Sequence, residues 1–412
     1  MITRTLASKI ESMAGTFPVV TLTGPRQSGK TTLCRMVFRD HRYVSLEAPD
    51  VRAFATEDPR GFLEEHRPPV ILDEVQRVPE LLSYLQVEVD ANPVPGHYIL
   101  TGSANFALFE SVSQSLAGRT AVAHLMPCGH EEILRFADPP TSLFETIQAG
   151  SYPAIHERGV EPFDWYRAYI TTTLERDVRQ IINVTDLSAF QTFLELTAGQ
   201  VGQLTNFSRL GADAGISANT ARAWLSVLET GFLVFRLRPF HTNLRSRAVK
   251  TPKLYFNDTG LACALLGITE HSQLRSHPLR GALFENWVVS EVQKARLNRG
   301  LQGAGFFIRD ARGFEIDLML DVGARLVATE IKSGQTVASD FFTHLEKLGE
   351  MLPRTQASRE IEARVVYGGS DRQRRRRTDV VPWNRIKDLS WWCSRRDPSA
   401  GGAVIDRCCR CS

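Results

Sequence analysis

The chain has 412 residues, of which 43% are hydrophobic, so it can form two or three domains with cores of their own and is neither a disordered nor a fibrous protein. Its 49 Lys and Arg residues against 46 Asp and Glu residues give a formal net charge of +3. This charge excludes a strong positive field over the whole surface and requires any nucleic-acid site to be local. No apolar run approaches the roughly 18 residues of a membrane span, and the first residues lack the apolar segment of a signal peptide. We therefore expect a soluble, cytoplasmic protein with no membrane partner.

The seven cysteines do not have the spacing of a disulfide framework. Cys34, Cys128 and Cys263 are scattered, and the other four crowd the C-terminal end of the chain. Four neighbouring cysteines are compatible with a zinc site, but this stretch has no nearby histidine and three of its cysteines nearly adjoin, unlike tetrahedral zinc ligands. We therefore favour a tail without zinc.

A phosphate-binding loop is predicted in the segment FPVVTLTGPRQSGKTTL. An apolar strand over residues 18–23 leads into a glycine-rich turn and then a helix, and the turn matches G-x-x-x-x-G-K-[ST]. Glycines in such a turn allow backbone N–H groups to surround phosphates, the lysine reaches the outer phosphates, and the hydroxyl binds Mg²⁺. The predicted ATP-binding residues are Gly24, Pro25, Arg26, Gln27, Ser28, Gly29, Lys30, Thr31 and Thr32.

Two acidic residues follow the next buried strand, in PPVILDEVQ. The apolar residues 70–72 end in Asp73 and Glu74, and ligands of open α/β sheets bind at the carboxyl ends of the strands. We expect Asp73 to hold the Mg²⁺ ion together with Thr31, and Glu74 to orient and polarise the water that attacks the γ-phosphate. A capped strand end without catalytic function is the alternative, but the preceding phosphate-binding loop favours the functional interpretation.

A third strand, over residues 97–101 of GHYILTGSAN, also ends in polar residues. We expect it to lie between the phosphate-loop strand and the Asp73 strand, where Ser103 would contact the γ-phosphate or the attacking water. Thr101 and Asn105 are weaker candidates for this contact. The alternative is a turn that caps the next helix, because Ser and Asn favour such positions.

Arg119, in SLAGRTAVAHL, lies between a predicted helix and a fifth apolar strand. From this position it would complete the site of a neighbouring subunit as an arginine finger, which contributes about 10³ to 10⁵ in rate in phosphoryl transfer. A surface arginine at a helix C-terminus is an equal alternative. Arg176, in TLERDVRQ, is a second candidate, although alternating charges are also typical of a solvated helix face.

Together these motifs are similar to those of a known family. The segments GPRQSGKTT, VSLEAPDV, VILDEVQRVPELL, YILTGSAN and LAGR, in this order, resemble the AAA-type (AAA+) P-loop ATPases of prokaryotes. The resemblance is to the branch whose ATPase domain is followed by a C-terminal domain of unknown function, and it continues through KLYFNDTGL and GALFENWVVSEV to TEIKSG. It implies ATP binding and Mg²⁺-dependent hydrolysis, assigned by motif to Lys30, Thr31, Asp73 and Glu74.

Residues 160–235 alternate amphipathic stretches without a long apolar strand and are predicted to be mainly helical. NFSRLGADAGISANTARAWLSVLETGFLVFRLRP has a short helix, a turn at residues 215–217, a second helix over residues 218–229 and a strand, which is the order of a winged helix-turn-helix. Ser217 is the expected N-cap. The expected core residues are Leu210, Ala214, Ile216, Trp224, Leu225 and Leu228. The second helix has only Arg222 as an outward basic residue, so packing against the ATPase is an equal alternative to DNA binding.

A nuclease-like domain is predicted after residue 276. An amphipathic helix in LRGALFENWVVSEVQKARLN is followed by a pair of strands in FFIRDARGFEIDLMLDVGARLVATEIKSG and a helix near residues 341–352. Strand alternation places Glu330 and Lys332 on one face and Asp317 at the start of the preceding strand. This arrangement resembles the PD-(D/E)xK nuclease fold, with Glu285 as a fourth acidic group.

In that arrangement Asp317 and Glu330 would hold a divalent metal, and Lys332 would stabilise the attacking water or the phosphate. A charged hairpin without this chemistry is one alternative, and a nuclease fold that only binds is another.

The predicted fold class is α/β, with a P-loop NTPase parallel sheet, then a helical winged-helix module and an α/β restriction-endonuclease-like domain. The predicted division is an AAA-type ATPase domain at 1–140, a helical linker and winged helix-turn-helix at 141–275, the nuclease-like domain at 276–370, and a basic, Cys-containing tail at 371–412. The basic run RQRRRR at 372–377 is interpreted as a flexible loop, with phosphate contact as the alternative.

The predicted function is an ATP-binding, Mg²⁺-dependent ATPase that hydrolyses ATP to ADP and phosphate to drive or switch an assembly, as a homo-oligomer. One alternative is a DNA-binding regulator or defence component that uses ATP as a switch. The other is a metal-dependent nuclease.

Overall fold

The computed structural model describes residues 1–103, 115–174, 186–240, 249, 251–310, 312–323, 325–352 and 359–392. The chain forms two compact units. The first contains Met1–Leu237 and Thr251–Gly303, and the second contains Arg238–Lys250 and Ala304–Ser412. Arg176, Asn105 and the four C-terminal cysteines lie outside the described residues.

The first unit contains a five-stranded parallel sheet with the order β2-β3-β4-β1-β5. Its strands are β1 (Val19–Gly24), β2 (Arg42–Ser45), β3 (Val70–Asp73), β4 (Tyr98–Ser103) and β5 (Thr120–His124). The predicted parallel sheet is confirmed, and β4 lies between β1 and β3 as its polar end suggested. The three central strands, β1, β3 and β4, are buried along their whole length, because helices cover both faces of a parallel sheet.

Five helices accompany this sheet: α1 (Ala7–Ala14), α2 (Lys30–Val37), α3 (Pro49–Glu57), α4 (Pro59–Glu65) and α5 (Leu81–Ala91). Successive strand residues point to opposite faces, so Ile71 packs in one core with Ile10 and Leu33, and Leu72 packs in another with Phe62. Each such apolar side chain contributes about 1.5–3 kcal/mol on burial. The two cores hold the sheet rigid, and the loops at its edges are positioned by it.

Helices dominate the remainder of the first unit, as predicted for residues 160–235. They are α6 (His130–Ile133), α7 (Leu143–Ala149), α8 (Pro153–Arg158), α9 (Pro162–Tyr169), α10 (Leu187–Gly199), α11 (Phe207–Asp213), α12 (Ala218–Thr230), α13 (Thr259–Leu265) and α14 (Arg280–Leu297). No helix among the described residues is long and apolar enough to cross a membrane. Cys34, Cys128 and Cys263 are buried and carry free thiols.

The helix-turn-helix segment has the predicted order of elements. Ser217 caps α12, its hydroxyl accepting the amide of Thr220 at 3.0 Å, and Trp224 packs edge-on against Phe190 and Phe193 of α10. Ile216, expected in the core, is only half-buried because it lies in the turn. After α12, residues 234–237 of β6 (Val234–Pro239) pair antiparallel with β7 (Lys253–Phe256). The winged-helix assignment itself stays a prediction.

Helix α14 differs from the expected amphipathic helix. Nearly every residue from Leu283 to Lys294 is buried, including Glu291 and Lys294, whose Oε1 and Nζ atoms lie 2.9 Å apart. Their mutual ion pair allows both charges to be buried. Helical periodicity alone could not distinguish charged side chains that face solvent from charged side chains that are buried in an ion pair.

The second unit is built on a sheet with the order β12-β13-β11-β10-β9-β8, next to which lie the last two residues of β6. Its strands are β8 (Phe306–Arg309), β9 (Glu315–Val322), β10 (Arg325–Lys332), β11 (Glu360–Tyr367), β12 (Gln373–Arg375) and β13 (Thr378–Pro382). Helix α15 (Thr343–Met351) contributes Leu345 and Leu348 to a core with Ala328 and Val365.

The expected tail at 371–412 begins inside this unit. Residues 372–377, interpreted as a flexible loop, include β12, and β13 pairs parallel with β11. A 3₁₀ helix follows at Trp383–Asp388, and Trp391 is buried. Two apolar residues, Val380 and Val381, are too few to predict a strand next to a run of arginines. Their backbone pairing to β11 nevertheless makes them part of a buried strand.

Candidate functional site

The predicted phosphate site lies at the carboxyl edge of the first unit's sheet. Gly24 and Ser103 are paired neighbours at the ends of β1 and β4, and Asp73 ends β3 on the other side of β4. Because all three strands run parallel, their carboxyl ends meet at one edge. The fold thus brings together residues that the sequence separates by up to 79 positions, from Gly24 to Ser103.

The phosphate-binding loop has the backbone that its glycines require. Gly24, Gln27 and Gly29 have φ angles of 149°, 61° and 94°, a region that favours glycine. A Cβ atom on Gly24 would lie 2.2 Å from the carbonyl oxygen of Leu125, so no larger residue fits. Gly29 is the N-cap of α2, and the helix N-terminus adds a positive dipole where an anion would bind. The hydroxyl of Ser28 is buried and has no hydrogen-bond partner among the residues that the structure describes.

Lys30 is the first residue of α2 and is buried over this loop. Its Nζ donates to the carbonyl oxygens of Gly24 at 3.1 Å and Pro25 at 2.8 Å. Burial lowers the pKa of the amine to about 8, against the opposing charges of Glu74 and Asp73. A buried cation held mainly by two carbonyl groups gains much from an anionic ligand.

Asp73 accepts hydrogen bonds from three hydroxyl groups. Thr31 Oγ1 lies 2.9 Å and Tyr43 Oη 2.7 Å from its Oδ2, and Thr101 Oγ1 donates to its Oδ1. Thr101, a weaker candidate for contact with phosphate, is instead a partner of Asp73. The sequence indicated no role for Tyr43, because its contact depends on β2 lying next to β3 in the sheet.

Glu74 directly follows β3 and has a φ angle of 60°, an uncommon conformation for a residue with a side chain. Gln76 Nε2 donates both to Glu74 Oε2 and to Ser103 Oγ, the latter at 2.8 Å. Ser103 Oγ is also 3.4 Å from Glu74 Oε2. Ser103 therefore lies beside the predicted catalytic carboxylate, and Gln76 is a site residue that the sequence reasoning missed. Its position two residues after Glu74 was the available signal.

Three other predicted residues of the phosphate-binding loop are less buried. Arg26 is half-buried, and its charge helps to lower the pKa of Lys30. Gln27 and Thr32 are exposed.

Arg119 lies at the opposite edge of the sheet. Its carbonyl oxygen accepts the amide of Val19, the first residue of β1, and its Nη2 donates to Asp90 Oδ2 at 2.8 Å. The hydrogen bond and charge of Asp90 raise the pKa of Arg119. The six residues of β1 span about 20 Å, so Arg119 cannot reach the phosphate loop of its own chain.

A second cluster of titratable groups lies in the second unit. Lys332 Nζ is 2.7 Å from Glu330 Oε2 and 3.7 Å from Asp317 Oδ2, and the Ile331 amide donates to Asp317 Oδ2 at 2.8 Å. His344 Nδ1 of α15 lies 3.6 Å from Glu330 Oε1. The structure thus brings together the three residues predicted from the strand pattern and adds His344.

Burial and, after it, the charge of Asp317 raise the pKa of Glu330 to about 9 against the opposing effect of Lys332. At neutral pH the Glu330 carboxyl group therefore keeps its proton. Within the described part of the chain, no three His, Cys, Asp or Glu side chains form a group that could hold a metal ion.

Glu285, the predicted fourth acidic group, has its own partners in the first unit. It lies on α14 in the first unit, where its Oε1 accepts Lys253 Nζ at 2.8 Å and Tyr255 Oη at 2.5 Å. Both donors are on β7, and Lys253 is almost fully buried. Glu285 neutralises this buried lysine, and its role as a fourth acidic group of a nuclease core stays a prediction.

The chain matches three family models. Residues 16–134 match an AAA domain, residues 140–272 a domain of unknown function (DUF8612), and residues 280–386 a second domain of unknown function (DUF4143). The last two matches name no activity.

Similar proteins and similar solved structures were also found. Uncharacterized proteins of Mycobacterium bovis and Mycobacterium tuberculosis are each 31% identical over 337 residues, which is 81% of this chain and 74% of theirs. A Walker-type ATPase of Pyrococcus abyssi has 16% identity and a TM-score of 0.43, over 63% of this chain and 94% of its own. DnaA from Aquifex aeolicus, bound to AMPPCP, has 13% identity and a TM-score of 0.28, over 54% of this chain and 85% of its own. The protein belongs to the same family as the two mycobacterial proteins, and its residues 16–134 form an AAA-type P-loop ATPase domain.

Proposed function

We propose that the protein hydrolyses ATP to ADP and phosphate in a Mg²⁺-dependent reaction at the carboxyl edge of the first unit's sheet. The observation that carries this proposal is the convergence of Lys30, Thr31, Asp73 and Glu74 there, with Asp73 accepting the Thr31 hydroxyl at 2.9 Å. A lysine at the start of a helix and two carboxylates at a neighbouring strand end are what phosphoryl transfer requires.

The residues present fit a nucleoside triphosphate and its metal ion. The buried amine of Lys30 and the unpartnered hydroxyl of Ser28 are polar groups that a phosphate would satisfy. Thr31 and Asp73 would hold Mg²⁺, which prefers oxygen ligands and keeps several waters. When bound, this ion neutralises charge that develops on the phosphate oxygens.

The chain's own residues supply the remaining functions. Lys30 binds the outer phosphates, and the loop amides orient them. Glu74 orients the attacking water, and Gln76 and Ser103 set the direction of its carboxylate through their hydrogen bonds. Arg119 acts on the site of a neighbouring subunit, which implies a homo-oligomer, because its own site lies at the other edge of the sheet.

The test is release of phosphate from ATP with Mg²⁺, together with nucleotide affinity. We expect Lys30→Ala to lower kcat/KM by about 100-fold or more, the order of effect seen when one preorganised charged or polar donor is removed. Glu74→Gln should retain ATP affinity and lose turnover. The matched control is Lys387→Ala, because Lys387 is an exposed lysine of the second unit. Equal phosphate release by wild type and Lys30→Ala would overturn the proposal.

A second candidate function is metal-dependent cleavage of nucleic acid by the second unit. It is favoured by the proximity of Asp317, Glu330 and Lys332, since one oxygen of each acidic group lies within 3.7 Å of the lysine amine. Two acidic side chains can hold a metal ion that displaces their proton, and the lysine can stabilise a pentavalent phosphate. Plasmid incubated with Mg²⁺ or Mn²⁺ should be nicked by wild type and left intact by Asp317→Asn. Intact plasmid with both proteins would leave this unit without cleavage activity.

DNA binding without cleavage, with ATP as a switch, would rest on the helix-turn-helix α11–α12 and on the arginines at 372–377. A salt-dependent gel shift distinguishes it, since phosphate contacts weaken as salt increases. No shift even at low salt would exclude this function.

A further inference from the structure

A buried arginine near the N-terminus contacts the phosphate-binding loop. Arg4 is 7% exposed. Its Nη1 donates to the carbonyl oxygen of Ser28 and its Nη2 to that of Met126, both at 2.7 Å. The guanidinium group therefore links the loop to the segment that follows β5, across 24 and 122 positions of sequence.

A buried carboxylate fixes the orientation of this arginine. Glu132 Oε1 lies 3.1 Å from Arg4 Nε and is 1% exposed. It also accepts the Thr5 amide at 2.6 Å and, through Oε2, the Gly129 amide at 2.9 Å. Burial alone would raise the pKa of Glu132, but the charge of Arg4 and these hydrogen bonds lower it overall, so the carboxylate is ionised. A buried ion pair adds little to stability compared with apolar packing. Stability alone therefore does not account for the orientation of Arg4 toward the loop.

The geometry of the peptide bond gives the arginine a consequence for anion binding. A trans peptide is planar, and its C=O and N–H groups point in opposite directions. The carbonyl of Ser28 points to Arg4, so the amide of Gly29 in the same peptide points to the other side of the loop. Gly29, with a φ angle of 94°, is also the N-cap of α2, where backbone amides bind phosphate.

The same segment contacts the other end of the loop. The Leu125 amide donates to the Thr23 carbonyl at 2.8 Å, and the Leu125 carbonyl lies against Gly24. Residues 125–132 therefore contact both ends of the phosphate-binding loop, directly at Gly24 and through Arg4 at Ser28.

We propose that Arg4 and Glu132 are positioning residues that hold the loop in its phosphate-binding conformation before the ligand arrives. The ligand class is a polyphosphate, and the nucleotide part of this inference rests on the ATP site proposed above. Preorganisation of the Gly29 amide removes the cost of ordering the loop from the binding step.

The test compares two buried ion pairs of the first unit. Arg4→Met with Glu132→Gln removes both charges of the pair that contacts the loop. Glu285→Gln with Lys253→Met removes both charges of another buried pair of the first unit, whose carboxylate accepts the Tyr255 hydroxyl instead of contacting the loop or residues 125–132. Arg4→Lys is a third variant, which keeps the charge opposite Glu132 but replaces the planar fork of two Nη donors with a single amine.

Two measurements are made on variants whose circular dichroism melting shows that they are folded. The first is hydrogen exchange of the peptide covering residues 24–31 without ligand, and the second is the affinity for ATP and for inorganic tripolyphosphate. We expect the Arg4 and Glu132 double variant to exchange at least about tenfold faster and to bind both ligands about tenfold more weakly, as preorganisation predicts. Arg4→Lys should show the same changes in smaller degree, and the Glu285 and Lys253 control should resemble wild type.

Unchanged exchange in the folded Arg4 and Glu132 variant would overturn the proposal, and so would equal changes in the control. If the double variant does not fold, Arg4→Lys decides the question by the same two measurements. If wild type binds neither ATP nor tripolyphosphate, the proposed ATPase function is wrong, whereas the exchange rates still decide whether Arg4 positions the loop.

Discussion

At the scale of single residues, the site depends on hydroxyl groups that contact charged ones. Asp73 is 4% exposed and accepts hydrogen bonds from Thr31, Tyr43 and Thr101. Buried carboxylates need such donors, because an unsatisfied charge in a low-dielectric interior is costly. These donors also restrict the rotation of the carboxylate, as partners of metal ligands generally do.

Tyr43→Phe removes one of these donors without changing the ring. We expect the Mg²⁺ concentration that half-saturates ATP hydrolysis to increase about tenfold, the lower end of the range for removal of a metal ligand's hydrogen-bond partner, with kcat restored at saturating Mg²⁺. Tyr84→Phe is the matched control, because Tyr84 is a comparably exposed tyrosine on α5. An unchanged Mg²⁺ dependence in Tyr43→Phe would show that the hydroxyl does not orient Asp73.

Glu330→Gln tests whether Glu330 is protonated in the folded second unit. The pKa of Glu330 is raised from 4.5 to about 9 by burial and by Asp317, so the folded state keeps a proton that the unfolded state releases. The free energy of unfolding of wild type should therefore fall as pH rises from about 4.5 to 9. Glutamine imitates the protonated acid, and its variant should lose less stability over this interval.

Urea unfolding in EDTA at pH values from 5 to 9 measures this difference. Glu360→Gln, at an exposed carboxylate of β11, is the control and should follow wild type. Parallel pH profiles for wild type and Glu330→Gln would contradict the raised pKa of Glu330.

At the scale of secondary structure, a hairpin presents the basic run of the second unit. Strands β12 and β13 pair antiparallel, and Arg375 lies opposite Thr378, so the turn contains only residues 376 and 377. Both arginines have positive φ angles, 48° and 64°, the conformation of a tight hairpin turn that Asn and Gly usually occupy.

Acidic partners hold two of these arginines. Arg372 pairs with Asp379 and Arg376 with Glu346. The remaining three, Arg374, Arg375 and Arg377, are exposed and have no ion pair among the described residues. Their charges are therefore available to a phosphate backbone, which the +3 net charge of the chain does not indicate.

The combined substitution of Arg374, Arg375 and Arg377 by Gln tests this hairpin as a nucleic-acid contact. We expect weaker binding to duplex DNA and a salt dependence whose slope falls by about 0.9 for each phosphate that the variant no longer neutralises. The fluorescence anisotropy of a labelled duplex, measured over a range of salt concentrations, gives both values. Substitution of the exposed Arg39, Arg60 and Arg67 by Gln changes the net charge equally and should have a smaller effect. Equal slopes in the two variants would assign any binding to general charge.

At the scale of the whole molecule, the position of Arg119 separates it from its own ATP site. It lies at the amino edge of the sheet and the phosphate loop at the carboxyl edge, so contact with a γ-phosphate requires another copy of the chain. Asp90 neutralises it within one chain, and an incoming phosphate group would compete with that exposed pair.

Mixing two inactive variants tests this arrangement. Arg119→Ala keeps an intact phosphate site, and Glu74→Gln keeps the arginine. If Arg119 acts in a neighbouring subunit, the mixture should release phosphate faster than the sum of the two proteins alone. Mixing Arg119→Ala with the Arg119→Ala and Glu74→Gln double variant is the control, since neither partner then supplies an arginine. No recovery in the first mixture would contradict an arginine finger supplied by another subunit.

Much of the candidate ATP site is predictable from the sequence because its motifs are local. The glycine spacing before Lys30 and the acidic pair after a buried strand each require only a few consecutive residues, and backbone geometry links them directly to phosphate and metal binding. Contacts between distant segments could not be predicted in this way. Tyr43 and Arg4 became site residues only through sheet order and burial, whereas Gln76 lies two residues after Glu74 and contacts it locally.

The sequence by itself determined the AAA-type parallel sheet, the strand order that places β4 between β1 and β3, and the identity of the phosphate-binding loop. The tertiary structure decided that α14 is buried around most of its surface, that Glu285 neutralises Lys253, and that the basic run forms a hairpin within a sheet. The physical reason is the range of the interactions. Periodicity and motif spacing record contacts within one element, whereas burial and charge pairing depend on which distant segments meet.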